Sequence, residues 1–296
     1  MSLESDVLDA IRVKDGSRVS MKVVRADSDE IRIARFLCAA GSHNHCVPVE
    51  DVLPDPLDKD NALLIMPYLR RFDDPPFEAV QEVMDFIQQT LEGLCYIHGQ
   101  RVAHRDCSSM NIMMDGRPLF PNDHHPVHTN ATLDSSRRSY HLSRPDHPVK
   151  YYFIDFGMSS HFKQGESPYV LGAQGGDQDV PELSNEHSYN AYMLDVFILG
   201  HLYEKEFVQN YLGLEFLKPL VAAMTSLQPE RRPTAESALG MFHTIHNELN
   251  HTQLHWRLRK GDESGAERVV YDTISAAKVG FSLVRGLIGY DLRQNL

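Results

Sequence analysis

The sequence predicts an α+β chain in two parts, a small strand-rich part followed by a larger helix-rich part. Three observations carry this expectation. Short stretches of alternating apolar residues, punctuated by Asp-Gly and Pro, fill much of the first 69 residues. Helix-period apolar patterns run over 77–98 and again from about 189 to 248. Loops rich in Gly, Ser, Pro and His lie between these patterns. A length of 296 residues suits two lobes or one large domain, and 42% hydrophobic with 24% charged residues is a globular composition.

The elements follow in order. Residues 7–24 read as a β-hairpin, because Asp15-Gly16 is a turn signal between two alternating stretches. Residues 29–40 read as a helix with Ile33, Phe36 and Leu37 on one face and Ile31 near its edge. Leu63–Leu69, LLIMPYL, is a short buried strand ended by proline. A long amphipathic helix over 77–98 turns Val80, Val83, Met84, Ile87, Leu91, Leu94 and Ile97 inward, with Pro75 and Pro76 before it. A loop from Val102 leads into a short strand ending near Asp115. Residues 115–150 are poor in aliphatics and form an irregular insertion; so long a loop is usually functional or mobile. Tyr151–Ile154 is an apolar strand, and 158–181 is a polar loop. Residues 249–296 form a helical extension with interleaved apolar positions.

Charge and cysteine usage narrow the classes. A net charge of −12 argues against a nucleic-acid partner, since displacing phosphate counterions needs a basic footprint. No apolar run approaches the ~18–20 residues of a membrane-spanning helix, and the first residues lack a secretory signal. Cys38, Cys46, Cys95 and Cys107 are few and scattered, which predicts reduced thiols in a cytoplasmic or nuclear protein that is not secreted. Cys38, His43, His45 and Cys46 form a near-cluster of ligand types; a loop after a helix explains them better than zinc.

The segment His104-Arg105-Asp106 followed by Asn111 carries the strongest chemical signal. It resembles the catalytic loop of eukaryotic-type protein kinases. The spacing lets a carboxylate take a proton from an attacking hydroxyl while an amide oxygen faces a divalent ion on the nucleotide. Asp155-Phe156-Gly157 resembles the motif whose Asp ligates Mg²⁺, a hard ion that prefers oxygen. Val180-Pro181-Glu182, the segment from Asp195 to Gly200, and Arg232-Pro233-Thr234 resemble later landmarks of that family, in the same order. Val19-Ser20-Met21-Lys22 resembles its phosphate-holding strand. Several segments also resemble a kinase-like family abundant in fungi.

The resemblance implies a bilobal protein-kinase-like fold with a reduced N-lobe sheet over 1–69 and a mainly helical C-lobe over 70–248, carrying the insertion. It implies ATP and Mg²⁺ as cofactors. Asp106 would be catalytic. Asn111 and Asp155 would hold the metal. Lys22, paired with Glu30, would position phosphates, with Asp29 as the alternative carboxylate. Adenine would meet the Pro67 carbonyl and the Leu69 N–H after Met66, with Met113 as its floor. Asp195 would tether the catalytic loop and Arg232 would pair with Glu182. The partner would be a protein hydroxyl, Ser/Thr ahead of Tyr, with a further protein partner possible on the C-terminal extension. Four departures accompany the match. No glycine-rich phosphate loop precedes Val19, so the N-lobe reads as truncated. Ser108 stands where a lysine is usual. The stretch from Asn111 to Asp155 is long and histidine-rich. The Thr common before Val180-Pro181-Glu182 is missing. The departures keep open an alternative, an ATP-binding or inert pseudokinase acting as an interaction module.

Overall fold

In the computed structural model, which describes residues 7–39, 44–264 and 272–273, the alternating N-terminal stretches pair as an antiparallel hairpin. Strands β1 (Val7–Ile11) and β2 (Arg18–Arg25) run in register from Val7↔Lys22 to Ile11↔Arg18. Asp15 accepts from the N–H and hydroxyl of Ser17, and Gly16 takes φ 71°, a value glycine adopts at no steric cost. Strands β3 (Asp51–Pro54) and β4 (Asn61–Pro67) complete a four-stranded sheet in the order β1-β2-β4-β3.

Helix α1 (Asp29–Cys38) buries Ile31 against this sheet with Val24, Ala62 and Leu64, and turns Ile33, Ala34 and Leu37 into the large core. Phe36 does not belong to that face, contrary to the sequence expectation. The buried stripe is centred between Leu37 and Ala34, which leaves Phe36 41% exposed and stacked on His161 at 4.6 Å.

The larger lobe is built around two helices. Helix α2 (Val80–Gly99) buries the predicted stripe, with Val83, Ile87, Leu91, Leu94 and Ile97 at zero exposure. Between the lobes and beneath them lie short strands: β5 (Arg70–Arg71), β6 (Val102–Ala103), β7 (Ile112–Met114), β8 (Tyr151–Phe153) and β9 (Ser160–His161). They form a three-stranded sheet, β5-β7-β8, and a pair, β6-β9. A further pair, β10 (Tyr169–Gly172) and β11 (Ser184–Asn190), leads into α3 (Ala191–Tyr203). Helix α3 is apolar nearly all round, as a helix buried on every side must be. A Cβ at Gly200 would sit 2.5 Å from Met224 Cβ, so glycine is what lets α3 approach α4 (Lys218–Met224). Helix α5 (Ala235–Glu248) is capped by Thr234, whose hydroxyl accepts from Ser237 N–H. The architecture is the two-part α+β arrangement that the sequence predicts, a small sheet-based lobe followed by a larger, mainly helical one.

Residues 115–150 hold no helix or paired strand of their own, yet they are firmly attached. Arg144 is buried, donates to the carbonyls of Phe72 and Pro76, and meets Glu82 at 3.2 Å. Arg18 at the start of β2 reaches Asp123 and the His124 carbonyl, both at 3.1 Å. The Tyr68 hydroxyl donates to Pro126 O, and Arg70 to Thr129 O. The insertion therefore straps the outer side of the inter-lobe connection.

The expected helical extension begins as one turn, α6 (His251–Leu254), and then runs extended. Strand β12 (Tyr211–Leu212) pairs with β13 (Arg259–Lys260), and Leu258 is buried in the large core. The apolar positions from Val269 onward lie outside the described residues. No helix among the described residues is long and apolar enough to cross a membrane.

Candidate active site

The catalytic-loop segment is held from below by one buried carboxylate. Asp195 on α3 is fully buried and accepts from the backbone N–H of His104 at 2.8 Å and of Arg105 at 2.6 Å. His98 Nε2 lies 2.9 Å from the same carboxylate. A buried carboxylate is tolerable only with such partners, and here they double as the anchor of a loop. His104 is itself buried. Its ring reaches Ile154 O at 3.0 Å and packs beside Phe156, and burial holds its pKa below the ordinary histidine range. Arg105 takes a left-handed φ of 66°, so the chain turns sharply before Asp106.

Strand pairing then brings the two candidate metal ligands together. Ile112 faces Phe153 across β7 and β8, and Ile154 N–H donates to Asn111 O at 2.9 Å. The Asn111 side-chain amide donates to Asp106 O and to Asp106 Oδ2, both at 2.9 Å. Its own oxygen is left as the candidate ligand atom. Asp155 has φ 59°, a strained value for a non-glycine residue, which swings its carboxylate toward β2.

There it meets Lys22. The Lys22 ammonium lies 2.9 Å from Asp155 Oδ1 and 2.7 Å from Glu30 Oε1. Burial pulls the Lys22 pKa down, but the two carboxylates outweigh it and hold the ammonium above the ordinary range. Burial raises Glu30, with Lys22 opposing. Burial also pushes Asp155 up, yet its bonds to Lys22 and Gly157 bring it below the usual value. Of the two carboxylates at the start of α1, Glu30 faces inward; the Asp29 side chain is 67% exposed and pairs with Arg32. The short link from β2 to α1 accommodates this contact.

The hinge residues sit at the junction of the lobes. Pro67 ends β4, Leu69 is buried, and Arg71 on β5 pairs with Met113 on β7. The connection and the expected floor residue are thus one strand spacing apart. Met66 and Met113 are half-buried against the large core.

Two bonded groups, Glu30–Lys22–Asp155 and Asn111–Asp106, are therefore set side by side, linked through the backbone bond from Ile154 N–H to Asn111 O. One carboxylate and one amide oxygen, both hard donors, stand beside a lysine. This donor chemistry fits Mg²⁺ on a phosphate chain, and Asp155, with 43% of its side chain exposed, is open to an ion.

Other side chains have structural parts. Arg232 forms a two-bond pair with Glu182 and stacks over Phe197 at 4.7 Å. Cys107 is fully buried, and burial drives its thiol well above the normal range, so it is not a reactive thiol. His45 and Cys46 bond to Tyr151 O and Asn44 O, and Cys38 accepts from Val49 N–H; His43 lies outside the described residues. The histidines of the insertion form no metal group among the described residues.

Sequence reasoning missed two features. His98 as a partner of Asp195 carries no motif. The N–H of Gly176, 2.8 Å from Asp106 Oδ1, is a backbone donor and leaves no residue signature beyond the glycine itself.

No family model matches the chain. The "Light-sensor Protein kinase" of Ceratodon purpureus is 34% identical over 124 residues, covering 37% of this chain but only 9% of that protein. The "Probable CTD kinase subunit alpha homolog" of Encephalitozoon cuniculi is 22% identical over 270 residues, covering 86% of this chain and 71% of that protein. Among solved structures, "Crystal structure of Rad53 kinase domain and SCD2" covers 79% of this chain and 82% of that one at 16% identity, with a TM-score of 0.49. The sequence relatives are named as protein kinases, and the chain is similar to them over the matched segments.

Proposed function

We propose that this chain is an ATP- and Mg²⁺-dependent protein kinase that transfers the γ-phosphate of ATP to a protein hydroxyl, Ser/Thr ahead of Tyr, in the cytoplasm or nucleus. The observation that carries the reading is the bonded chain Glu30–Lys22–Asp155 lying next to Asn111–Asp106. Lys22 would hold phosphate oxygens, with Glu30 fixing its position. Asn111 and Asp155 supply the oxygens for Mg²⁺, which when bound neutralises phosphate charge. Pro67, Leu69 and Met113 would take the adenine. Asp106 orients the acceptor hydroxyl and accepts its proton as the oxygen–phosphorus bond forms and ADP leaves. Catalysis of this kind is mostly positioning, which is what the network provides.

The test is transfer of labelled γ-phosphate from Mg·ATP to a mixture of casein and histone. The wild-type chain labels the mixture, and Asp106→Asn loses the signal by about 10²-fold or more. Equal labelling by both proteins contradicts the assignment.

One observation favours a second reading, an ATP-binding module without transfer. Ser108 leaves no cationic side chain bonded to Asp106 among the described residues. A Mg·ATP-dependent rise in melting temperature, with no labelling of any acceptor, would select that reading, because a ligand of the folded state stabilises it.

A further inference from the structure

A carboxylate that is to receive a proton from an incoming hydroxyl must be held at a fixed angle, and free rotation of its plane would lose that geometry. The Asp106 side chain has two donors among the described residues. Asn111 takes Oδ2 at 2.9 Å, and the backbone N–H of Gly176 takes Oδ1 at 2.8 Å. With both oxygens held, the plane is set. The Gly176 donor comes from 70 residues away in sequence, from the polar segment between β10 and β11.

Three further observations bear on position 176. First, space: a Cβ there would lie 3.1 Å from Asp106 Oδ1 and 3.1 Å from Ser108 Oγ. Both are tighter than ordinary contact, so a methyl would displace the carboxylate or the segment. Second, the Ser108 hydroxyl is buried there with no partner, so it supplies no competing bond to Asp106. Third, the segment is pinned on the far side of Gly176. Asp177 meets His201 of α3 at 2.6 Å, Asp179 meets Lys205 at 2.9 Å, and Glu182 is held by Arg232. Asp177, Asp179 and His201 could by spacing hold a cation. The Lys205 ammonium already sits on Asp179, so these groups read as the anchor of the segment. Gly175, with φ 143°, provides the bend that carries the chain from β10 back over the catalytic loop.

We propose that Gly176 is a positioning residue: its N–H fixes the Asp106 carboxylate for the acceptor hydroxyl, and glycine is required there because a side chain would push that carboxylate away. This rests on the phosphotransfer reading for its consequence, while the hydrogen bond itself stands without it.

The experiment therefore has two arms on the full chain. In the first, glycine is labelled with ¹⁵N, and exchange of the Gly176 amide is compared between wild type and Asp106→Asn. The expected result is faster exchange by about tenfold or more in the variant, since a charged acceptor protects better than an amide oxygen. Unchanged exchange overturns the proposal whether or not the chain transfers phosphate. In the second arm, Gly176→Ala lowers kcat about tenfold or more while the KM for ATP stays within about twofold. Adding Ser108→Gly, which removes one of the two close contacts, recovers part of kcat. Wild-type kcat in Gly176→Ala overturns the proposal. Should Gly176→Ala fail to fold, the exchange arm decides. Protection that depends on Asp106 in a chain without transfer would refute the kinase reading and keep the clamp. Transfer without such protection would do the reverse.

Discussion

The two lobes solve the problem of holding polar groups in different ways. In the small lobe the sheet has a thin private core of Val24, Ile31, Ala62 and Leu64, and the edge strand β1 leaves Leu8 and Ile11 more than half exposed. Lys22 is fixed there by ion pairs with partners outside its strand, and the start of that strand is strapped to the insertion at Arg18. In the large lobe one continuous core runs through α2, α3, α4 and α5, and the catalytic loop hangs from Asp195 at its centre. The difference teaches where a substitution will register. Polar anchors in the large lobe are part of the fold, while under the proposed function those in the small lobe would govern grip on a nucleotide.

The largest effect is expected at Asp195. Replacement by Ala leaves two backbone donors and His98 without their acceptor in a dry core. The cost is ~3–5 kcal/mol in a denaturant titration, with loss of activity. A loss below ~1 kcal/mol would show that the anchor is not structural.

Next comes Arg144→Met, which strands Glu82. Burial raises the Glu82 carboxyl and Arg144 lowers it, leaving it at about 6. A carboxyl raised above its unfolded value of 4.5 stabilises the fold fully below that value and loses the contribution as pH rises through about 6. Without the guanidinium the folded value climbs further. The penalty should be ~3 kcal/mol at about pH 8 and roughly half that at about pH 5. A penalty independent of pH would remove Glu82 from the explanation.

Lys22→Met should behave in the opposite sense to the Asp195 change. The rise in melting temperature with Mg·ATP disappears, and the unfolding free energy falls by only ~1 kcal/mol, because the lysine is partly solvated. Global unfolding of this variant would erase the contrast between the lobes. Smallest is Arg18→Ala, which cuts the strap. It should cost ~1 kcal/mol and speed hydrogen exchange in β2 and the hinge, with no change in α2. Uniform exchange changes would mean that the insertion does not act locally.

Much of the fold was legible because its periodic segments are strong. The α2 stripe and the hairpin turn at Asp15-Gly16 need no tertiary information. Strand β3 was not legible: it is four residues long, ends in Pro54 and is mostly exposed, so alternation has no room to show. Phe36 was assigned to the wrong face because hydrophobicity alone does not distinguish a core ring from one stacked on a histidine. In the site, the acidic and amide side chains are legible through their resemblance to protein-kinase motifs. Nothing in the sequence marks Arg18 or Arg144 as anchors of the insertion, and the Gly176 N–H belongs to the backbone, which sequence patterns describe only indirectly.

The account stands on one claim, that Asn111, Asp155 and Lys22 together form a seat for a metal-bound nucleotide. Calorimetric titration of ATP into wild type and Asp155→Asn, with and without Mg²⁺, tests it most directly. The account predicts binding that requires Mg²⁺ in the wild type and falls about tenfold or more in the variant. Binding that ignores both the ion and the substitution, or no binding by the wild type, would contradict it.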